Sequence, residues 1–125
     1  MIGQSPKQNS YPHQNEPNWS KSEKTIARTA FDAALSRELH EVIQNAKRMA
    51  KEIQKSSDLW ELEHHLTKRR KEIDRKYEFR GSRLIDVLGR LLYENRLSEE
   101  DLHGLSEEKM KSIRSFAQFL RNDAA

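Results

Sequence analysis

The sequence predicts an all-α protein: a long antiparallel helical hairpin, or stalk, carrying a small helical head and paired as an elongated homodimer. Three observations predict it. Between residues 18 and 80 there is neither Gly nor Pro. Apolar residues recur through that stretch at spacings of three and four, the helical period. Charged residues make up 34% of the chain and hydrophobic residues another 34%, a balance that suits solvated helices better than a compact globule.

Taken in order, residues 1–18 hold all three prolines, Pro6, Pro12 and Pro17, among Gln, Asn, Ser, His and Tyr. Nothing there repeats at a helical or strand period, so a disordered tail is expected. Ser20 with Glu23 three residues on forms a capping box for the first helix, and Trp19 stands just before the cap.

The first helix is expected over 21–55. Leu35, Leu39, Val42, Ala46, Met49 and Ile53 form a heptad-like seam, which Ile43 and Ala50 widen toward a second partner. Such a helix is roughly 50 Å long. A compact chain of this size has a radius of gyration of about 14 Å. The stripe therefore needs a long hairpin partner, another subunit, or both. Ser56-Ser57 is a short connection, which makes the next helix antiparallel. Two exposed hairpin faces then point to a two-fold homodimer.

The second helix is expected over 57–80, with Asp58 as N-cap and Glu61 closing the box. Leu59, Leu62, Leu66, Ile73 and Tyr77 fall within an arc of about 60° and form its expected core face. Glu63, Arg70 and Asp74 lie beside it within about 40°. Trp60 lies further round the same flank. Its readings are core, dimer interface or partner anchor, with core or dimer packing first.

Gly81-Ser82 breaks the helix, and residues 81–125 read as the head. Leu84, Ile85, Val87, Leu88, Leu91, Leu92 and Tyr93 are the densest apolar patch, and Gly89 permits a close helix crossing. Asn95 ends that segment. Ser98 with Asp101 starts a short helix that stops at His103-Gly104. Ser106 caps a last helix striped with Met110, Ile113, Phe116, Ala117 and Leu120, which frays from Asn122.

The same sequence excludes several functions. The chain has no cysteine, hence no disulfide or thiol chemistry. It has no membrane-length apolar run and no signal-peptide pattern, so a soluble, cytoplasmic protein is expected. Its carboxylates sit at helix N-termini or opposite basic residues, as in Glu72-Lys76 and Arg70-Asp74, and read as surface ion pairs. There is no nucleophile elbow, P-loop or H-E-x-x-H, so no enzyme is expected. His64 and His65 point about 100° apart on a helix, so neither a metal nor a cofactor is expected. Lys68, Arg69, Arg70, Lys71, Arg75 and Lys76 are the most basic run. Glu72, Asp74 and Glu78 interrupt it, and the net charge is only +3, which leaves weak nucleic-acid binding through residues 68–76 a lesser alternative.

The central stretch carries a resemblance. Asp58-Leu59-Trp60, Leu62, Lys68-Arg69-Arg70, Glu72-Ile73-Asp74 and Lys76-Tyr77 resemble the signature segment of the cyanobacterial fluorescence recovery protein family. Trp19-Ser20, Phe31, Arg37-Glu38-Leu39, Leu102, Leu105 and Ile113 extend the likeness over residues 19–116. The resemblance implies a non-enzymatic helical dimer that binds the light-activated orange carotenoid protein. It would promote return to the resting orange form, ending quenching of the phycobilisome antenna.

Trp60 and Arg70 match the family's stalk patch, with Glu63-His64 standing where the family has a His-Asp pair. The expected partner-binding set is Trp60, Glu63, His64, Arg70 and Asp74. Ile43 falls where the family places an interface leucine. The expected dimer interface is Leu35, Leu39, Ile43, Ala46, Ala50 and Trp60. In the head, Asp86 replaces an exposed Phe and Ser112 a functional Lys, with Lys111 adjacent. Those departures favour a second reading, the same fold serving a different protein partner.

Overall fold

The computed structural model describes residues 18–124. The expected tail over 1–18 lies outside the described residues except for Asn18. Four α-helices follow: α1 (Lys21–Lys51), α2 (Ser56–Lys76), α3 (Leu84–Tyr93) and α4 (Glu107–Ala124), with a short 3-10 turn at Glu100–Leu102 before α4. No strand occurs among the described residues. The all-α expectation holds.

Ser20 starts α1 as expected: its hydroxyl accepts from the Glu23 N–H, and Glu23 returns the bond to the Ser20 N–H. The other Glu23 oxygen does something unforeseen. It accepts from the Ser106 N–H at 2.9 Å, and Lys109 closes on the same carboxylate at 3.0 Å. One side chain thereby caps α1 and ties its start to the start of α4.

The hairpin boundaries shift from those expected. α1 stops at Lys51, and Ser56 and Ser57 belong to α2 rather than to the connection. The cause is Asp58. It is not the N-cap. From the third helical position it accepts from the Gln54 and Lys55 N–H groups, which draws the helix start forward. At the other end α2 stops at Lys76 instead of Arg80. Tyr77 and Phe79 turn edge-on to Phe31 of α1, with ring centroids 5.3 and 5.2 Å away. Aromatic packing outweighs local helix propensity there.

The core sits at the head end. Leu84, Val87, Leu88 and Leu91 of α3 meet Met110 and Ile113 of α4, with Leu97, Leu102 and Leu105 between. A large share comes from α1: Ala27, Ala30, Phe31 and Ala34 are all buried in the same cluster. The small side chains of the three alanines let α1 lie close to the head. The first half of the expected stalk (19–80) thus packs with residues 81–125. At Gly89 a Cβ would come within 2.9 Å of the Phe116 Cβ, so the expected close crossing of α3 and α4 is present. Asn95, at φ 62°, ends α3: its N–H bonds to Leu92 O and the Arg96 N–H to Leu91 O. This is a Schellman motif with Asn in the left-handed position. Ser98 and Asp101 exchange the expected capping bonds. α4 runs on to Ala124, past the expected fraying point.

The expected core face of α2 is only partly buried. Ile73 is buried, but Leu59 and Leu66 remain exposed. The face that α2 turns to α1 is rotated by about 50° and centred on Arg69. What holds it there is charge: Arg69 and Lys76 both reach Glu38 of α1.

Candidate functional site

Glu38 is fully buried, at 0% exposure, and organises the junction of stalk and head. It lies in register with Ala27, Ala30, Phe31 and Ala34 on the inner face of α1, an arc of about 100°. Its carboxylate accepts from Arg69 at 2.9 Å, Tyr77 at 2.8 Å and Lys76 at 2.8 Å, and pairs with Arg96 at 3.2 Å. Lys76 and Arg96 also share Glu94, at 2.7 and 2.9 Å. Burial pushes the Glu38 pKa up, but the hydrogen bonds from Lys76, Arg69 and Tyr77 outweigh it, and the pKa falls to about 2. Burial, with Glu38 as acceptor, holds the Tyr77 phenol well above its ordinary value. Both oxygens of Glu38 accept hydrogen bonds and its pKa is lowered, so it stays an anion near neutral pH and positions helices.

Sequence reasoning missed this hub. The usable signal was an acid continuing the Ala27–Ala34 spacing where an apolar residue belongs. The expected pairs Glu72-Lys76 and Arg70-Asp74 do not form among the described residues. Glu72 pairs instead with Arg69, at 2.9 Å.

Locking Arg69 and Lys76 inward turns the opposite face of α2 outward. Trp60, Glu63, His64, Arg70 and Asp74 all lie on that face, centred about 160° from Arg69, and all are exposed. Trp60 is 63% exposed, which removes the core reading. Glu63 accepts from Thr67 at 3.2 Å. Arg70 and Asp74 make no ion pair among the described residues and are available to a partner. The helix places the five residues on one stripe about 120° wide and roughly 20 Å long.

A second face is left open on α1. Leu35, Leu39, Ile43, Ala46 and Ala50 share an arc of about 80°, turned about 150° from the buried alanines. Leu35 and Ala46 are half-buried, while Leu39, Ala50 and Ile43, the last at 50%, are exposed. Trp60 stands with Met49 beside the far end of this stripe. The head carries a third feature, a groove between α3 and α4. Ile85, Phe116 and Phe119 line it together with Asp86, Lys111 and Ser112. Phe119 is exposed there.

The family described as photoprotection regulator fluorescence recovery protein matches residues 19–117. The chain belongs to the fluorescence recovery protein family. The fluorescence recovery protein of Synechocystis sp. (strain ATCC 27184 / PCC 6803 / Kazusa) is 35% identical over 103 residues, covering 82% of this chain and 94% of that protein. The solved fluorescence recovery protein structure from Synechocystis sp. PCC 6803 superimposes with a TM-score of 0.77 at 35% identity. It covers 81% of this chain and 99% of that one. The Fremyella diplosiphon fluorescence recovery protein gives 0.77 at 34% identity, with the same coverage. The helical architecture is therefore that of fluorescence recovery proteins, and the chain is a regulator by family. No helix among the described residues is long and apolar enough to cross a membrane.

Proposed function

We propose that this member of the fluorescence recovery protein family binds photoactivated orange carotenoid protein and promotes its return to the resting form. The observation that carries the reading is the exposed stripe on α2. Trp60 and Arg70 stand on it in the open, with Glu63, His64 and Asp74 beside them. Trp and Arg are the residue types that dominate interface hot spots. No bond-making chemistry is required. A protein that binds one conformer, or the path between two, more tightly shifts or speeds their exchange.

The working unit in this reading is a homodimer joined through Leu35, Leu39, Ile43, Ala46 and Ala50, with Trp60 at the margin. Covering that stripe supplies the second partner that its apolar width calls for.

Co-elution tests the partner. Photoactivated orange carotenoid protein should form a complex that the dark form does not. Trp60→Ala or Arg70→Leu should weaken it by about 2 kcal/mol, the scale of an interface hot spot. Equal binding of both light states, or unchanged binding by both variants, contradicts the reading.

A second reading keeps the fold and changes the protein partner. The groove in the head favours it, because Asp86 and Ser112 replace an aromatic and a cation there. An acid at an aromatic anchor adds a desolvation penalty for a partner built to meet a ring. Phe119 offers a different aromatic in the same groove. The nucleic-acid reading loses ground, since Arg69 and Lys76 of the basic run are committed to Glu38.

A further inference from the structure

A groove of about 730 Å³ opens between the end of α2, the outer face of α3 and the middle of α1. Glu38 forms its floor. Six cationic and four acidic side chains line it, so it carries a surplus of two positive charges. The four acids are already satisfied. Glu38, Glu41, Glu72 and Glu94 pair among themselves with three cations, Arg69, Lys76 and Arg96. That leaves Arg75, Arg83 and Arg90. Arg83 has only long contacts, 3.7 Å to Glu78 and 3.6 Å to Asp86. Arg75 and Arg90 make no ion pair among the described residues.

We propose that this groove receives an acidic segment of the protein partner, its carboxylates held by Arg75, Arg83 and Arg90. Guanidinium groups bind carboxylates through paired, planar hydrogen bonds, and these three stand on walls already fixed by the Glu38 network. The groove has little apolar lining, so charge complementarity rather than an apolar anchor selects its occupant. Two placements favour a protein segment over a free ion. Arg75 lies within about 20° of His64 around α2 and roughly 16 Å along it, so the groove continues from the exposed stripe that carries Trp60. Glu41, on the groove's rim, lies about 160° around α1 from Ile43, so pairing through the apolar stripe leaves the groove open. The proposal rests on reading the chain as a regulator of a protein partner.

The test uses the full chain, isotope-labelled, with arginine side-chain N–H signals followed by nuclear magnetic resonance. The probes are a hexaglutamate peptide and, separately, inorganic phosphate at matched ionic strength. Saturable shifts at Arg75, Arg83 and Arg90 with the peptide are expected, with at least tenfold weaker binding for Arg75→Gln/Arg90→Gln. The single variant Arg114→Gln, on the far surface of α4, should bind as the parent does. Shifts spread evenly over all basic residues, or unchanged binding by the double variant, overturn the proposal. Tighter binding of phosphate than of peptide also overturns it, in favour of a small oxyanion. Peptide uptake at the groove by a chain that ignores orange carotenoid protein would remove that partner and leave the groove's assignment standing.

Discussion

Glu38 and Lys76 form an ion pair at 2.8 Å that joins the middle of α1 to the last residue of α2. Both side chains are largely withdrawn from solvent; Arg69 and Tyr77 donate to the same carboxylate and Arg96 pairs with it. The pair fixes the rotation of α2, and with it the face that points outward.

Glu38→Ala should therefore destabilise the chain by about 3 kcal/mol, measured by urea unfolding. It removes the buried acid that Arg69, Lys76 and Arg96 share, and breaking a buried pair costs about 3–5 kcal/mol. The lower end applies because Glu72, Glu94 and Glu41 still pair with those cations. Glu41→Ala, an exposed neighbour, should stay within about 0.5 kcal/mol. Equal losses for the two would refute the hub.

Acid should unfold the chain through two carboxylates. Glu38 and Glu23 have pKa values lowered to about 2. Burial opposes the shift at Glu38, whereas the Ser106 N–H is the first cause at Glu23. Both lie below the ordinary value of 4.5 that the unfolded chain restores. Their stabilisation is complete above about pH 5 and is lost as pH falls toward 2. Thermal midpoints should be flat in this respect from pH 5 to 8 and fall below it. Glu38→Gln should make the acid limb shallower. An identical limb in parent and variant would remove Glu38 from the account.

Gly89→Ala should cost about 1–3 kcal/mol by overpacking the α3–α4 crossing. The added methyl meets the Phe116 Cβ at 2.9 Å and the Ile113 carbonyl at 3.0 Å, and the backbone cannot yield cheaply. Thermal denaturation reads this directly, and an unchanged midpoint would mean a looser crossing.

Ile43→Glu should yield monomers in light-scattering chromatography with an unchanged helical spectrum. Ile43 is half exposed in the single chain, so the change touches the proposed dimer face and not the core. A variant that remains dimeric would move the interface elsewhere.

The helices of this fold were legible in the sequence because they follow from backbone rules. The absence of Gly and Pro, the Ser20–Glu23 box and the Ser98–Asp101 box all act locally. The break after Lys76 was not legible, because Phe31 draws Tyr77 and Phe79 out of the helix from more than forty residues away. The buried face of α2 was misjudged for a related reason. A leucine count weighs apolar residues, while Glu38 buries Arg69 and Lys76 through charge. The candidate site residues on α2 were legible as a stripe. Their outward direction was not, since it depends on that buried pair.

The most direct measurement is the dark recovery of photoactivated orange carotenoid protein, followed by absorbance with and without this chain. Faster return to the orange form is expected, with most of the acceleration lost in Trp60→Ala, whose exposed ring contributes little to folding. An unchanged recovery rate in the presence of a folded dimer, across several carotenoid-protein types, would contradict the proposed function.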